Sequence, residues 1–138
     1  MDDLCTMRIT ASEFILYVAD QQKSTQFYRV LLGRSPDLEV PGMTEFQLGQ
    51  GAKLGLMPEQ GIARILCGPM PQPAQGSGIP RCELYLLVDD LPGAMRQAEQ
   101  AGARPVDAAA DRDWGHRVAY YADADGHVIA LAQVLGRP

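Results

Sequence analysis

Two glutamates occupy the same place in a repeated segment. Glu13-Phe14-Ile15-Leu16-Tyr17-Val18-Ala19-Asp20 recurs 70 positions later as Glu83-Leu84-Tyr85-Leu86-Leu87-Val88-Asp89-Asp90. A pair of carboxylates can hold a hard cation with water completing the shell, or can pair with a cationic ligand. Two oxygen donors suit Mg or Mn better than Zn, which takes at least three protein ligands. The plainer reading has Glu13 or Glu83 neutralised by a base such as Arg117 or Lys53, or left in solvent at a strand end. If the two faced each other unpaired, one would take up a proton at a raised pKa. Trp114 is the sole tryptophan and precedes Gly115. It reads either as an aromatic packed on a sheet edge or as a platform for a flat ligand, completed by Tyr17, Tyr85 and Met57. Such a wall also attracts a cationic ring. His116 and His127 are the only histidines. Both read as surface or loop groups, with His116 the one candidate for a catalytic base. Asp111-Arg112-Asp113 reads as a solvated loop. Cys5, Cys67 and Cys82 are odd in number and irregularly spaced, which suits reduced thiols in a cytoplasm. Cys82, by strand parity turned away from the Glu83 face, reads as a buried, inert thiol.

The elements that must position these groups are legible around them. Each repeated run is rich in β-forming apolar residues and ends at an Asp that can cap a helix. After Asp20, Ser24, Phe27, Tyr28 and Leu31 fall on one helical face, and Gly33 supplies the stop. After Asp90, Pro92 sits in the first turn, Leu91, Ala94, Met95, Ala98 and Ala101 form the buried stripe, and Gly102 closes it. Short strands are expected near 35–40, 43–49 and 52–57, and near 104–108, 116–122 and 127–134, with Pro41-Gly42, Gln50-Gly51 and Asp125-Gly126 at turns. Each half therefore reads strand–helix–strand–strand–strand. The stretch from Leu66 to Pro80 holds four prolines and three glycines in fifteen residues and reads as a linker. The expected organisation is a first module over 1–65, a linker over 66–80 and a second module over 81–138, together one structural domain. Parity puts Phe14, Leu16 and Val18 on the helix side and Glu13, Ile15 and Tyr17 on the opposite face. It likewise puts Glu83, Tyr85 and Leu87, with Lys53, Gly55, Met57, Val128, Ala130 and Ala132, on that second face. The expected cleft is two carboxylates on an apolar and aromatic wall.

Composition narrows the classes. Of 138 residues 46% are apolar and 21% charged, a soluble folded domain rather than a disordered chain. A net charge of −5 repels a phosphate backbone, so nucleic acid is not an expected partner and a charged ligand would be cationic. No apolar run approaches the roughly 18 residues of a membrane span. Met1-Asp2-Asp3 is acidic where a signal peptide is basic, so the expected location is cytoplasmic. There is no phosphate-cradling glycine loop and no basic–aromatic pattern for nucleic acid.

A strand, an Asp and then Ser24-x-x-Phe27-Tyr28-x-x-Leu31-x-Gly33 resembles the opening of the vicinal oxygen chelate superfamily, which includes glyoxalase I, extradiol dioxygenases, and fosfomycin- and bleomycin-resistance proteins. Trp114-Gly115-His116 with Asp123-Ala124-Asp125-Gly126 resembles that superfamily's usual ending, with Ala124 where proline is common. The resemblance implies an α+β fold of two tandem βαβββ modules, a curved mixed sheet with helices outside and a cleft on its concave face. It also implies four metal slots, which here align with Glu13, Gly55, Glu83 and Ala130. Glycine and alanine cannot coordinate, and neither histidine falls on a slot. The expectation is therefore a binding protein without a cofactor, holding a hydrophobic, aromatic compound such as an antibiotic, cationic if it is charged, as a homodimer. Its ligand-binding residues would be Tyr17, Ile15, Met57, Tyr85, Trp114, Glu13 and Glu83. The alternative is a metal-dependent lyase, transferase or dioxygenase in which Glu13 and Glu83 ligate a divalent ion and Glu45 or His116 completes the shell.

Overall fold

A computed structural model describes residues 7–76 and 78–136; Cys5 lies outside them. The first half runs β1 (Ser12–Val18), α1 (Gln21–Leu32), β2 (Leu38–Val40), β3 (Met43–Gly49) and β4 (Ala52–Pro58). The second runs β5 (Glu83–Leu87), α3 (Leu91–Ala101), β6 (Arg104–Asp111), β7 (His116–Ala122) and β8 (Val128–Val134). Each half builds a four-stranded mixed sheet of the same order, β1-β4-β3-β2 and β5-β8-β7-β6. The first strand pairs parallel with the last, and the middle strands pair antiparallel. The fold is α+β, two tandem βαβββ modules in a curved arrangement. Between the halves lie α2 (Glu59–Leu66) and a 3₁₀ turn at Pro73–Gly76.

The helices start and stop where the side chains dictate. Asp20 accepts from the Lys23 N–H at 3.1 Å and Asp90 accepts from the Gly93 N–H at 3.1 Å, each supplying an acceptor to a free donor of the first turn. Gly33 and Gly102 end the two helices at φ +66° and +88°. A methyl group at Gly102 would meet nothing within 4 Å, so only its left-handed backbone resists substitution. Gly102→Ala is expected to lower the unfolding free energy by about 1 kcal/mol, read from the urea midpoint.

One hydrophobic core spans both halves. Tyr28, Leu31, Phe46, Leu54 and Leu56 of the first join Leu91, Ala98, Tyr121, Ile129 and Leu131 of the second. Leu16, Leu84, Leu86 and Val88 pack against it, as parity requires. Phe14 departs from that expectation and is 75% exposed. It sits on an edge strand whose only paired neighbour is β4, and the core takes Leu16 and Val18 from that face but not Phe14. Cys82 is also exposed rather than buried, because it precedes β5 instead of lying in it. Among the described residues no helix is long and apolar enough to cross a membrane.

Candidate functional site

Register places the slot residues on one face of each sheet. In the first half Glu13, Ile15 and Tyr17 stand opposite Lys53, Gly55 and Met57, and Glu45 of β3 stands opposite Gly55. The missing side chain at Gly55 leaves a hollow that the Glu13 carboxylate fills, since a Cβ there would collide with its Oε2. That oxygen is buried and has no hydrogen-bond partner. Burial raises the Glu13 pKa, the adjacent Glu45 carboxyl raises it further, and Lys53 opposes both. Lys53 Nζ stands 3.4 Å from Glu45 Oε1 and supplies the local positive charge. The carboxyl that Glu13 meets is thus Glu45, from its own half.

The second half carries an aromatic group on the matching face. Glu83 and Tyr85 stand opposite Val128 and Ala130, and His116, Val118 and Tyr120 follow on β7. The bare Ala130, with Ala132 and Val118, forms a small apolar floor against which Tyr85 and Tyr120 pack. The Trp114 indole N–H donates to Tyr85 Oη at 2.9 Å, and Tyr85 Oη lies 2.6 Å from His116 Nδ1. Trp114 remains 55% exposed, its ring edge held by that bond. Desolvation first, then the Glu83 carboxylate, pushes the Tyr120 hydroxyl up from its ordinary value. Arg112 is not solvated as its acidic surroundings suggest. Its guanidinium stands 5.2 Å from the Tyr120 ring centroid and donates to the Val118 carbonyl at 2.9 Å and to Asp107 at 3.2 Å. Arg117 pairs with Asp111 at 2.8 Å, not with a glutamate.

The site residues read from the sequence fall into separate neighbourhoods. Tyr85, Trp114 and His116 are bonded to one another. Ile15 and Tyr17 instead line a hollow of about 310 Å³ with Glu59, Arg81, Cys82 and His127, while Met57 is half-buried opposite Tyr17. Tyr120 and Arg112 belong beside the Tyr85 group. The alternation His116-x-Val118-x-Tyr120 marks the first, whereas nothing local marks the second.

A family profile described as a glyoxalase-like domain matches residues 13–132. The chain belongs to this family. It lies within the vicinal oxygen chelate superfamily, as the repeat and the closing motif suggest. Among solved structures, a glyoxalase/bleomycin resistance protein/dioxygenase from Nocardioides is 23% identical with TM-score 0.74, covering 98% of this chain and 91% of that one. A glyoxalase-related enzyme from Fulvimarina pelagi is 21% identical with TM-score 0.74, covering 89% and 86%. A glyoxalase/bleomycin resistance protein from Catenulispora acidiphila is 23% identical with TM-score 0.65, covering 90% and 97%. No curated protein matches. At these identities the likeness carries the fold alone.

Members of this superfamily that work as enzymes hold a metal on the concave face, and the residues present here do not fit one. Two of four slots are Gly55 and Ala130, and Glu13 is engaged with Glu45 beside the Lys53 ammonium. Among the described residues the one cluster of three metal-capable side chains is Asp123, Asp125 and His127. Its atoms are already in use. Asp123 Oδ2 accepts from Tyr28 Oη at 2.7 Å and bonds His127 Nδ1 at 2.9 Å, while Asp125 Oδ1 accepts from the Ala19 N–H at 3.0 Å. This cluster clasps α1 and the end of β1 to the β7–β8 turn.

Proposed function

We propose that this glyoxalase-like protein binds a planar, hydrophobic aromatic compound on the concave face rather than turning over a metal-chelated substrate. The observation that carries the reading is the exposed Trp114 indole, fixed by its bond to Tyr85, which itself packs on the buried Ala130, Ala132 and Val118. A tethered, half-exposed ring offers offset stacking at little entropic cost. Sequestration of such a compound, antibiotics among them, is the biological form this chemistry supports, and a homodimer would enclose the guest further.

Trp114 is the only tryptophan, so its fluorescence reports on the site directly. Titration with planar aromatic antibiotics and dyes is expected to give saturable quenching. Calorimetry on Trp114→Ala should show affinity falling at least about tenfold, the loss of one good stacking contact. A near-stoichiometric divalent ion, retained after desalting and lost in the Glu13→Ala, Glu83→Ala double variant, would overturn the reading in favour of a metal enzyme.

A further inference from the structure

The chain Trp114–Tyr85–His116 has a fixed donor at one end and a titratable group at the other, and its hydrogen count allows the Tyr85 proton two placements. Indole nitrogen only donates, so Tyr85 Oη always accepts from Trp114. When His116 is neutral with its proton on Nε2, Nδ1 is an acceptor and the single Tyr85 proton is spent on the 2.6 Å bond to it. When His116 is protonated, Nδ1 becomes a donor. Tyr85 Oη then accepts from both neighbours, and its own proton must point elsewhere.

We propose that Tyr85 is a proton-switched hydrogen-bond donor, which gives the site affinity for aromatic compounds carrying a carboxylate or carbonyl oxygen when His116 is protonated. This rests on the aromatic-ligand reading above and names the class of guest and its pH dependence. The ionisable groups on the surrounding elements leave the switch to His116. Arg112 is held by Asp107 and Arg117 by Asp111, as ion pairs at 3.2 and 2.8 Å. Asp113 lies in the turn before β7, and Tyr120 lies further along β7 and is pushed up. On β5 the remaining charge is Glu83, whose recorded influence falls on Tyr120. β8 carries no ionisable side chain.

The test compares 2-naphthoate, which carries the acceptor, with 2-methylnaphthalene, which lacks it, by calorimetry at about pH 5.5 and about pH 8. Naphthoate is ionised at both. The expected result is about tenfold tighter naphthoate binding at the lower pH, with proton uptake, and no change for methylnaphthalene. Tyr85→Phe and His116→Gln should each abolish the pH effect. Plain charge attraction to the imidazolium would survive Tyr85→Phe, so a pH effect persisting there overturns the proposal, as does pH-independent naphthoate binding. If neither probe binds at either pH, the aromatic-ligand reading fails. Nitrogen NMR of His116 in the free protein then judges the switch alone. Nδ1 should pass from acceptor to donor as the pH falls, and Tyr85→Phe should shift that titration; an unchanged titration in Tyr85→Phe overturns it.

Discussion

Replacing Asp123 with alanine is expected to lower the unfolding free energy by about 3–5 kcal/mol. The side chain is 7% exposed and accepts four bonds, from the Tyr28 hydroxyl, the His127 ring and the backbone N–H groups of Asp125 and His127. Its loss leaves a fully buried phenol without an acceptor and the β7–β8 turn without its template. Urea denaturation checks the size of the effect. The same clasp sets a pH dependence whose sign follows from the two shifts. Burial works to raise the Asp123 pKa, but the bonds from His127 and Tyr28 hold it below the usual carboxylate range. Its contribution is therefore complete above the unfolded value of about 3.9 and is lost as pH falls through the lower folded value. Burial works to lower the His127 pKa, but the Asp123 carboxylate raises it above the usual value. That contribution is complete below about 6.5 and is lost as pH rises through the higher folded value. Stability supplied by the pair should hold level between about pH 4 and pH 6.5 and fall on both sides, and Asp123→Ala should flatten both limbs.

Phe46→Ala is expected to cost about 3–5 kcal/mol, because the ring is fully buried on β3 and its removal leaves a cavity. Its second consequence concerns cooperativity. Phe46 belongs to the first half and Trp114 to the second, yet the core that holds Phe46 runs on to Ile129 and Leu131. The unfolding curve read by Trp114 fluorescence should therefore shift to lower urea by the same amount as the curve read by circular dichroism. If the first half melted while the Trp114 signal stayed at its wild-type midpoint, the shared core would not be a single cooperative unit.

The fold was largely legible because its signals are local. A repeated apolar run, two Asp caps, two Gly stops and strand parity are each read within a dozen residues, and β7 falls where its alternation puts it. Helix α2 escaped because its eight residues carry an internal glycine, its first residue follows Pro58 with no side-chain cap, and only Ile62 is buried. The candidate site was half legible. Parity brought Glu13 and Gly55, and Glu83, Tyr85 and Ala130, to one face of their sheets, since it needs only neighbours along a strand. The partner of Glu13 comes from β3 and the support of Tyr120 from a turn, and pairings of that kind depend on how strands stack side by side. The Tyr28–Asp123 bond joins residues 95 positions apart. No spacing rule reaches so far.

That bond also breaks the symmetry of a duplicated chain. Tyr28 lies eight positions after the cap Asp20, and the residue eight positions after the cap Asp90 is Ala98, buried like Tyr28 but with nothing to donate. The β3–β4 turn, Leu48-Gly49-Gln50-Gly51, likewise offers no carboxylate where the β7–β8 turn offers Asp123. A first half docked on another first half would bury a phenol with no acceptor, and a second half docked on another would bury a carboxylate with no phenol. The first mismatch is penalised by the desolvation of an unpaired group, and the second takes from Asp123 one of its four bonds. Two near-copies in one gene product have thereby become unlike halves, each of which selects the other, whether the selection occurs within one chain or between two.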